Sequence, residues 1–235
     1  MTGQAPANHR AALLEIYGRL MARYGPQHWW PAEEPFEVMV GAILTQQAAW
    51  TNVARAISNL KAAGALSPRA LRRLPELELA GLIRPAVYHN AKAKKLKALA
   101  QWLGDSYRDN LARLFKHEPQ VLRRELLSVY GIGEETADSI ILYAAGKPVF
   151  VVDAYTRRIM GRLGLAPSDS SYRTCQTLFM NNLPAETQMF NEYHALLVQL
   201  GKAVCRPHPL CGECCLVDVC ADRGKPLNRI QGKGL

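Results

Sequence analysis

The chain contains no run of about 18 apolar residues, so no membrane-spanning helix is expected. Its first twenty residues lack the charged-then-apolar pattern of a secretion signal. They read as a short tail entering a helix, and a cytoplasmic protein is expected. Cysteine is almost missing from the first 200 positions, where only Cys175 occurs, so a disulfide framework spread over the chain is excluded. The other five cysteines lie between Cys205 and Cys220, which points to a metal or cluster site in a reducing compartment. Strand-like sequence is also scarce. Val149 to Val152 is the one such run, too short to nucleate a sheet. Acidic residues are outnumbered, 20 against 29 Lys and Arg, leaving a formal charge of +9. That excess favours a polyanionic partner such as nucleic acid, although a basic protein without one would look the same.

What is present is helical patterning and enough apolar residue, 49% of 235, to bury one large core or two modest ones. Residues His9 to Tyr24 carry Leu13, Ile16, Leu20 and Met21 at helical spacing. Two adjacent tryptophans, Trp29 and Trp30, follow a Gly-Pro break. Pro35 opens a strongly apolar helix to Leu44, ended by Thr45-Gln46-Gln47. Trp50 to Lys61 resumes a helix, and Ser67-Pro68 reads as an N-cap with proline at the first helical position. Asn90 to Leu103 is amphipathic. Its Lys92, Lys94, Lys95 and Lys97 are expected to face outward, either gripping phosphate or simply solvated. Leu111 to Leu127 leads into the central stretch, and Ser171 to Met180 and Gln188 to Lys202 are two further helices. No internal repeat is visible, and the fold class is all-α.

The centre runs from Leu126 to Leu163. It holds Tyr130-Gly131-Ile132-Gly133 between two helical segments, then Gly146-Lys147-Pro148, and one acid, Asp153, before another helix. A tight Gly-x-Gly helix–hairpin–helix turn allows positive φ and close backbone approach, and leaves N–H groups at a helix N-terminus for an anion. Phosphate held that way is read without regard to base sequence. Asp153 precedes Ala154-Tyr155-Thr156, a good capping context, so the residue is a helix cap, a catalyst, or both.

The hairpin, the Val151-Val152-Asp153 run, Phe36 to Gln47, Tyr88 to Leu96 and the cysteine loop together resemble the endonuclease III superfamily of helix–hairpin–helix–Gly/Pro–Asp DNA glycosylases. The resemblance covers nearly the whole chain. It implies a two-lobed all-α fold with damaged double-stranded DNA in the cleft. A six-helix barrel lobe would span residues 28–147, and a second lobe would combine 1–27 with 148–235 and the loop 205–220. Asp153 matches the catalytic aspartate, whose carboxylate stabilises positive charge on the sugar as the N-glycosidic bond breaks. Glu135 stands where strand-cleaving members carry a Schiff-base lysine, so the resemblance implies a monofunctional glycosylase without lyase activity. As a plain structural residue, Glu135 would suit the first turn of a helix.

The stretch His28-Trp29-Trp30-Pro31, with Trp50, is similar to the 3-methyladenine glycosylase branch, where aromatic side chains from these positions line the flipped-base pocket. An indole face attracts a cationic alkylated purine by roughly 0.5–2 kcal/mol. The same tryptophans could instead be core. Gln47 matches the residue that fills the gap left by the flipped nucleotide. Gly131, Ile132, Gly133 and Thr136 would hold the DNA backbone, with Lys147, Arg157, Arg206, Lys225 and Arg229 as further phosphate contacts. Cys205, Cys211, Cys214 and Cys220 suit a [4Fe–4S] cluster, with zinc as the competing assignment and Cys215 as a substitute for Cys214. A monomer is expected. The rival readings are a glycosylase for oxidised pyrimidines or T·G mismatches, and a non-catalytic DNA-binding cluster protein.

Overall fold

The computed structural model describes residues 9–223. Lys225 and Arg229 lie outside that range. Every regular element among the described residues is helical, and these residues divide into two compact units, one of Trp30–Val149 and one of the described residues up to Trp29 together with those from Phe150 to 223.

In the Trp30–Val149 unit, α2 (Pro35–Leu44) is the centre. Pro35 sits in its first turn, and every residue from Phe36 to Leu44 is buried. A helix apolar on all sides needs neighbours on all sides. It finds them in α3 (Trp50–Ala62), α6 (His89–Tyr107), α9 (Glu134–Ser139) and the π-helical turn Ile140–Ala144 that continues α9. Helices α4 (Pro68–Arg73) and α5 (Glu76–Leu82) pack on α6, followed in the chain by α7 (Leu111–Leu114) and α8 (Pro119–Leu127). Ser67 caps α4 as the sequence indicates, its Oγ accepting from the Ala70 N–H at 3.2 Å.

The lysines of α6 depart from the sequence reading. Lys92 is buried and donates to the Leu44 carbonyl at 2.9 Å. Lys97 donates to the carbonyls of Leu71, Arg72 and Leu74 near the end of α4. Lys95 reaches Gln46 at 2.5 Å, and of the four only Lys94 is exposed. Helix C-termini leave carbonyls without intrahelical donors, and a lysine is long enough to bury its stem and bring its ammonium to them.

The other unit packs α1 (His9–Tyr24), α10 (Ala154–Arg162), α11 (Tyr172–Asn182) and α12 (Thr187–Ala203) around Phe150, Phe179, Phe190 and Tyr193. Phe150 stacks on Phe179 with centroids 3.8 Å apart, and the Tyr193 hydroxyl donates to the Leu13 carbonyl at 2.9 Å. The strand-like run ending at Val152 joins no sheet. Side chains serve its backbone instead: Gln176 donates to Phe150 O at 2.7 Å, and Tyr172 Oη accepts from Val152 N at 3.4 Å.

Candidate active site and DNA-contacting residues

The hairpin Tyr130–Gly133 links α8 to α9. Gly131 has φ +82°, and a Cβ there would meet Lys95 Cγ at 2.2 Å, so both backbone conformation and packing demand glycine. Ile132 is buried and plugs the turn into the core. Gly133 differs from the sequence expectation. It is extended (φ −96°, ψ −178°), and a Cβ there would meet nothing within 4 Å. Neither its conformation nor the protein's own packing requires glycine, and the space above it is open to a ligand. Thr136 is buried, and its Oγ1 accepts from Gln46.

Glu134 and Glu135 begin α9 with different surroundings. Glu134 pairs with Arg123 at 3.0 Å, and the same guanidinium holds the fully buried Asp138 at 2.7 Å. These carboxylates keep the Arg123 guanidinium firmly charged against its burial. The brace was not foreseen from the sequence, although Asp138 lies four residues after Glu134 on the same helix. Glu135 is exposed.

Trp30 and Trp50 come together. Their rings meet edge to face, centroids 5.4 Å apart at 89°, and Tyr143 joins from the π-helical turn, 5.3 Å from Trp30. Gly41 makes room, since a Cβ there would lie 2.9 Å from Trp30 Cζ2. All three aromatics are partly exposed and none is sealed in the core. Tyr143 was missed in the sequence. Its only signal was an aromatic eight residues after Glu135 in an otherwise aliphatic segment, and π-turns of this kind often mark functional sites. Trp29 belongs to the other unit, half-buried, after a backbone pinned by Glu192: its carboxylate accepts from Gln27 N at 2.7 Å and His28 N at 3.1 Å. Gln47 is exposed and left-handed (φ +53°), at the turn that ends α2. Lys147 is half-buried and Arg157 exposed.

Asp153 is the N-cap of α10: its Oδ1 accepts from Thr156 N at 2.7 Å. Buried Val151 and Val152 fix the approach to it. Its Oδ2 lies 3.7 Å from Nε2 of His194, a buried residue of α12 whose pKa is lowered by burial and raised in part by Asp153 itself. A cap uses one carboxylate oxygen and leaves the other for chemistry, so the two readings of Asp153 are compatible.

The side chains of Cys205, Cys211, Cys214 and Cys220 line one cavity, together with Arg162 and Val204. Burial pushes the Cys214 and Cys220 thiols up, and neighbouring sulfurs add to it. Cys215 is not among the lining residues; its carbonyl instead accepts from Arg19 of α1 at 3.5 Å. Arg162 ties the loop to α10 through Cys205 Sγ at 3.3 Å and the carbonyls of Arg206 and Pro207. Arg206 is exposed. Among the described residues no three His, Cys, Asp or Glu side chains converge to hold a single metal ion. Cys175 is buried on α11, its thiol pushed up to about 11 by burial.

The described residues thus form an all-helical fold that carries a glycine hairpin, a capped acid after an extended run and a cysteine loop. Residues 40–185 match the HhH-GPD superfamily of base excision DNA repair proteins, and the chain belongs to that family. It is 43% identical over 213 residues to a protein of Methanocaldococcus jannaschii assigned as a DNA repair glycosylase, covering 90% of this chain and 96% of the relative. The fold is similar to endonuclease III in a trapped covalent DNA intermediate, with TM-score 0.79, 22% identity, and 91% and 96% coverage of the two chains. It is also similar to the H. pylori 3-methyladenine DNA glycosylase bound to 1,N6-ethenoadenine, with TM-score 0.70, 26% identity, and 83% and 97% coverage. The protein is thus a DNA glycosylase of base excision repair, of endonuclease III type.

Proposed function

We propose that this glycosylase is monofunctional and removes alkylated purines such as 3-methyladenine by hydrolysis. The observation that carries the reading is the partly buried aromatic group of Trp30, Trp50 and Tyr143. Aromatic faces offer stacking and cation attraction, which suit a positively charged base better than the neutral edge of thymine or an oxidised pyrimidine. Extruding a base costs a few kcal/mol, which stacking in such a pocket offsets. Similarity to the H. pylori enzyme, whose bound base is also a modified adenine, adds support.

In the reaction, the C1′–N bond breaks and the cationic base departs neutral, so no general acid is needed. Positive charge moves to the sugar, where the Asp153 carboxylate stabilises it. Water adds to C1′ and gives up its proton to Asp153 Oδ2 or to solvent. Oδ1 meanwhile holds the helix cap, so the acid stays positioned through the step. Glu135 cannot form a Schiff base, so the abasic product is released with its strand intact. The backbone of the hairpin at Gly131 and Gly133 and of the first turn of α9 at Thr136 holds the DNA backbone beside the lesion, with Ile132 anchoring the turn in the core and Lys147, Arg157 and Arg206 as added phosphate contacts. Gln47 fills the gap in the stack.

The cysteine loop fits a [4Fe–4S] cluster held by Cys205, Cys211, Cys214 and Cys220. These sulfurs ring a cavity and do not converge on a point, as the roughly 2.3 Å Zn–S bonds of a zinc site would require. When bound, the cluster supplies a covalent cross-link for the loop and takes no part in hydrolysis.

The test is incubation with alkylated DNA carrying 3-methyladenine, and with duplexes carrying thymine glycol or a T·G mismatch, with and without hot alkali. Release of the modified purine with breaks only after alkali is expected. Release confined to thymine glycol or T·G overturns the substrate reading, and breaks without alkali overturn the monofunctional one.

A further inference from the structure

Gln46 is half-buried between three elements and bonded to each direction it faces. Its Oε1 accepts from Lys95 Nζ of α6 at 2.5 Å. Its Nε2 donates to the Gly131 carbonyl in the hairpin and to Thr136 Oγ1 in α9, both at 3.0 Å. The Lys95 stem crosses the face of Gly131 on the way, close enough that any side chain there would collide with it. One turn earlier on α6, Lys92 holds the Leu44 carbonyl at the end of α2. The next residue along, Gln47, is left-handed and exposed.

We infer that Gln46, braced by Lys95, is a positioning residue that ties the Gln47 turn to the phosphate-holding hairpin, so that gripping the backbone and filling the gap left by the flipped base are mechanically coupled. This rests on the reading of Gln47 as the gap-filling residue. A side chain pushed into a base stack is pushed back by the cost of unstacking. Without a brace, a short turn ending a helix yields to that force. The Gln46 amide instead passes the load to the hairpin, whose own position is set by the DNA backbone. Adjacent glutamines thereby divide the work, one facing the protein and one the DNA, with the left-handed conformation of Gln47 separating their directions.

The experiment uses the whole protein and a duplex with a tetrahydrofuran abasic analogue opposite 2-aminopurine, a ligand independent of which lesion the enzyme removes. Binding by the wild type is expected to change 2-aminopurine fluorescence as Gln47 enters the gap, and Gln47→Ala is expected to lose that change. Gln46→Met and Lys95→Met are expected to lose at least half of it while keeping affinity within about threefold. Gln46→Glu retains the Lys95 pairing but cannot donate to Gly131, and is expected to behave like Gln46→Met, which covers the case where either methionine variant folds poorly. A full fluorescence change in both Gln46 variants overturns the coupling. So does a loss of signal that only tracks a loss of affinity, which marks a purely structural role. If Gln47→Ala keeps the full change, the gap-filling reading falls first, and the coupling falls with it.

Discussion

Replacing Gly131 by alanine places one methyl group against two constraints whose contributions can be separated. The first is conformational: at φ +82° an L-residue pays about 1–2 kcal/mol relative to glycine. The second is steric. The new Cβ would lie 2.2 Å from Lys95 Cγ, 2.5 Å from Cδ and 2.9 Å from Cε, so the lysine must leave. Its departure breaks the 2.5 Å bond to Gln46, a charge-assisted interaction that is half-exposed and so worth about 1 kcal/mol. The expected total is about 2–3 kcal/mol, a fall in melting temperature of about 5–10 °C for a chain this size. Urea unfolding followed by circular dichroism measures it. The decisive version is a double-mutant cycle. In a Lys95→Ala background no stem remains to collide, and Gly131→Ala is expected to cost only the conformational part, giving a coupling of about 1 kcal/mol. Equal costs in the two backgrounds would refute the argument that Lys95 and Gly131 are packed as a unit.

Gly133→Ala is expected to leave stability within about 0.5 kcal/mol, because the position is extended and unobstructed, while weakening binding to an abasic-analogue duplex; a variant with unchanged affinity would show that no phosphate approaches there. Lys92 titrates at about 8 in the folded protein against its ordinary 10.5, lowered first by burial and then by Lys95. Between those two values the unfolded chain binds the proton and the folded chain does not, so stability rises with pH across that window, by about 3 kcal/mol in all. Lys92→Met should lack this rise, and parallel pH–stability curves for the two proteins would contradict it. Asp153→Asn keeps an N-cap acceptor for Thr156 N, so melting should barely move while base release disappears; retained release would make Asp153 a cap alone. Cys214→Ser is expected to bleach visible cluster absorbance and Cys215→Ser to spare it, since only the former lines the cavity; the reverse pattern would exchange their roles.

The fold class was legible because a 3.6-residue apolar period is a strong signal, and the capping of α4 by Ser67 follows from local chemistry alone. The α6 lysines were not legible. A charged side chain on a helix reads as outward unless the ends of neighbouring helices are known to lie within its reach. Lys92 and Lys97 turn inward because α2 and α4 end beside α6, a tertiary fact with no sequence period. The glycines of the hairpin show the same divide. Sequence treats Gly131 and Gly133 alike, yet only Gly131 is left-handed, and only Gly133 faces open space. One serves the protein's own packing, and the other leaves room for a partner.

Tyr143 shows most sharply why the site was only partly readable. Trp30 and Trp50 stand out by residue type, but a tyrosine within an aliphatic helix is ordinarily core. Tyr143 lies within the π-helical turn Ile140–Ala144, whose spacing differs from an α-helix and so sets the face it presents beside Trp30. Substrate selectivity should therefore depend on backbone geometry as well as on aromatic identity. Tyr143→Phe keeps the ring and is expected to preserve excision of a cationic purine. Tyr143→Leu removes the π-face at similar helix compatibility and is expected to weaken excision by about tenfold, a loss of the size a single cation–π and stacking contact provides. The comparison is single-turnover excision of a cationic against a neutral modified purine. If Tyr143→Leu lowers both equally, the ring contributes shape and not charge recognition, and the proposed selectivity for cationic bases loses its support from Tyr143.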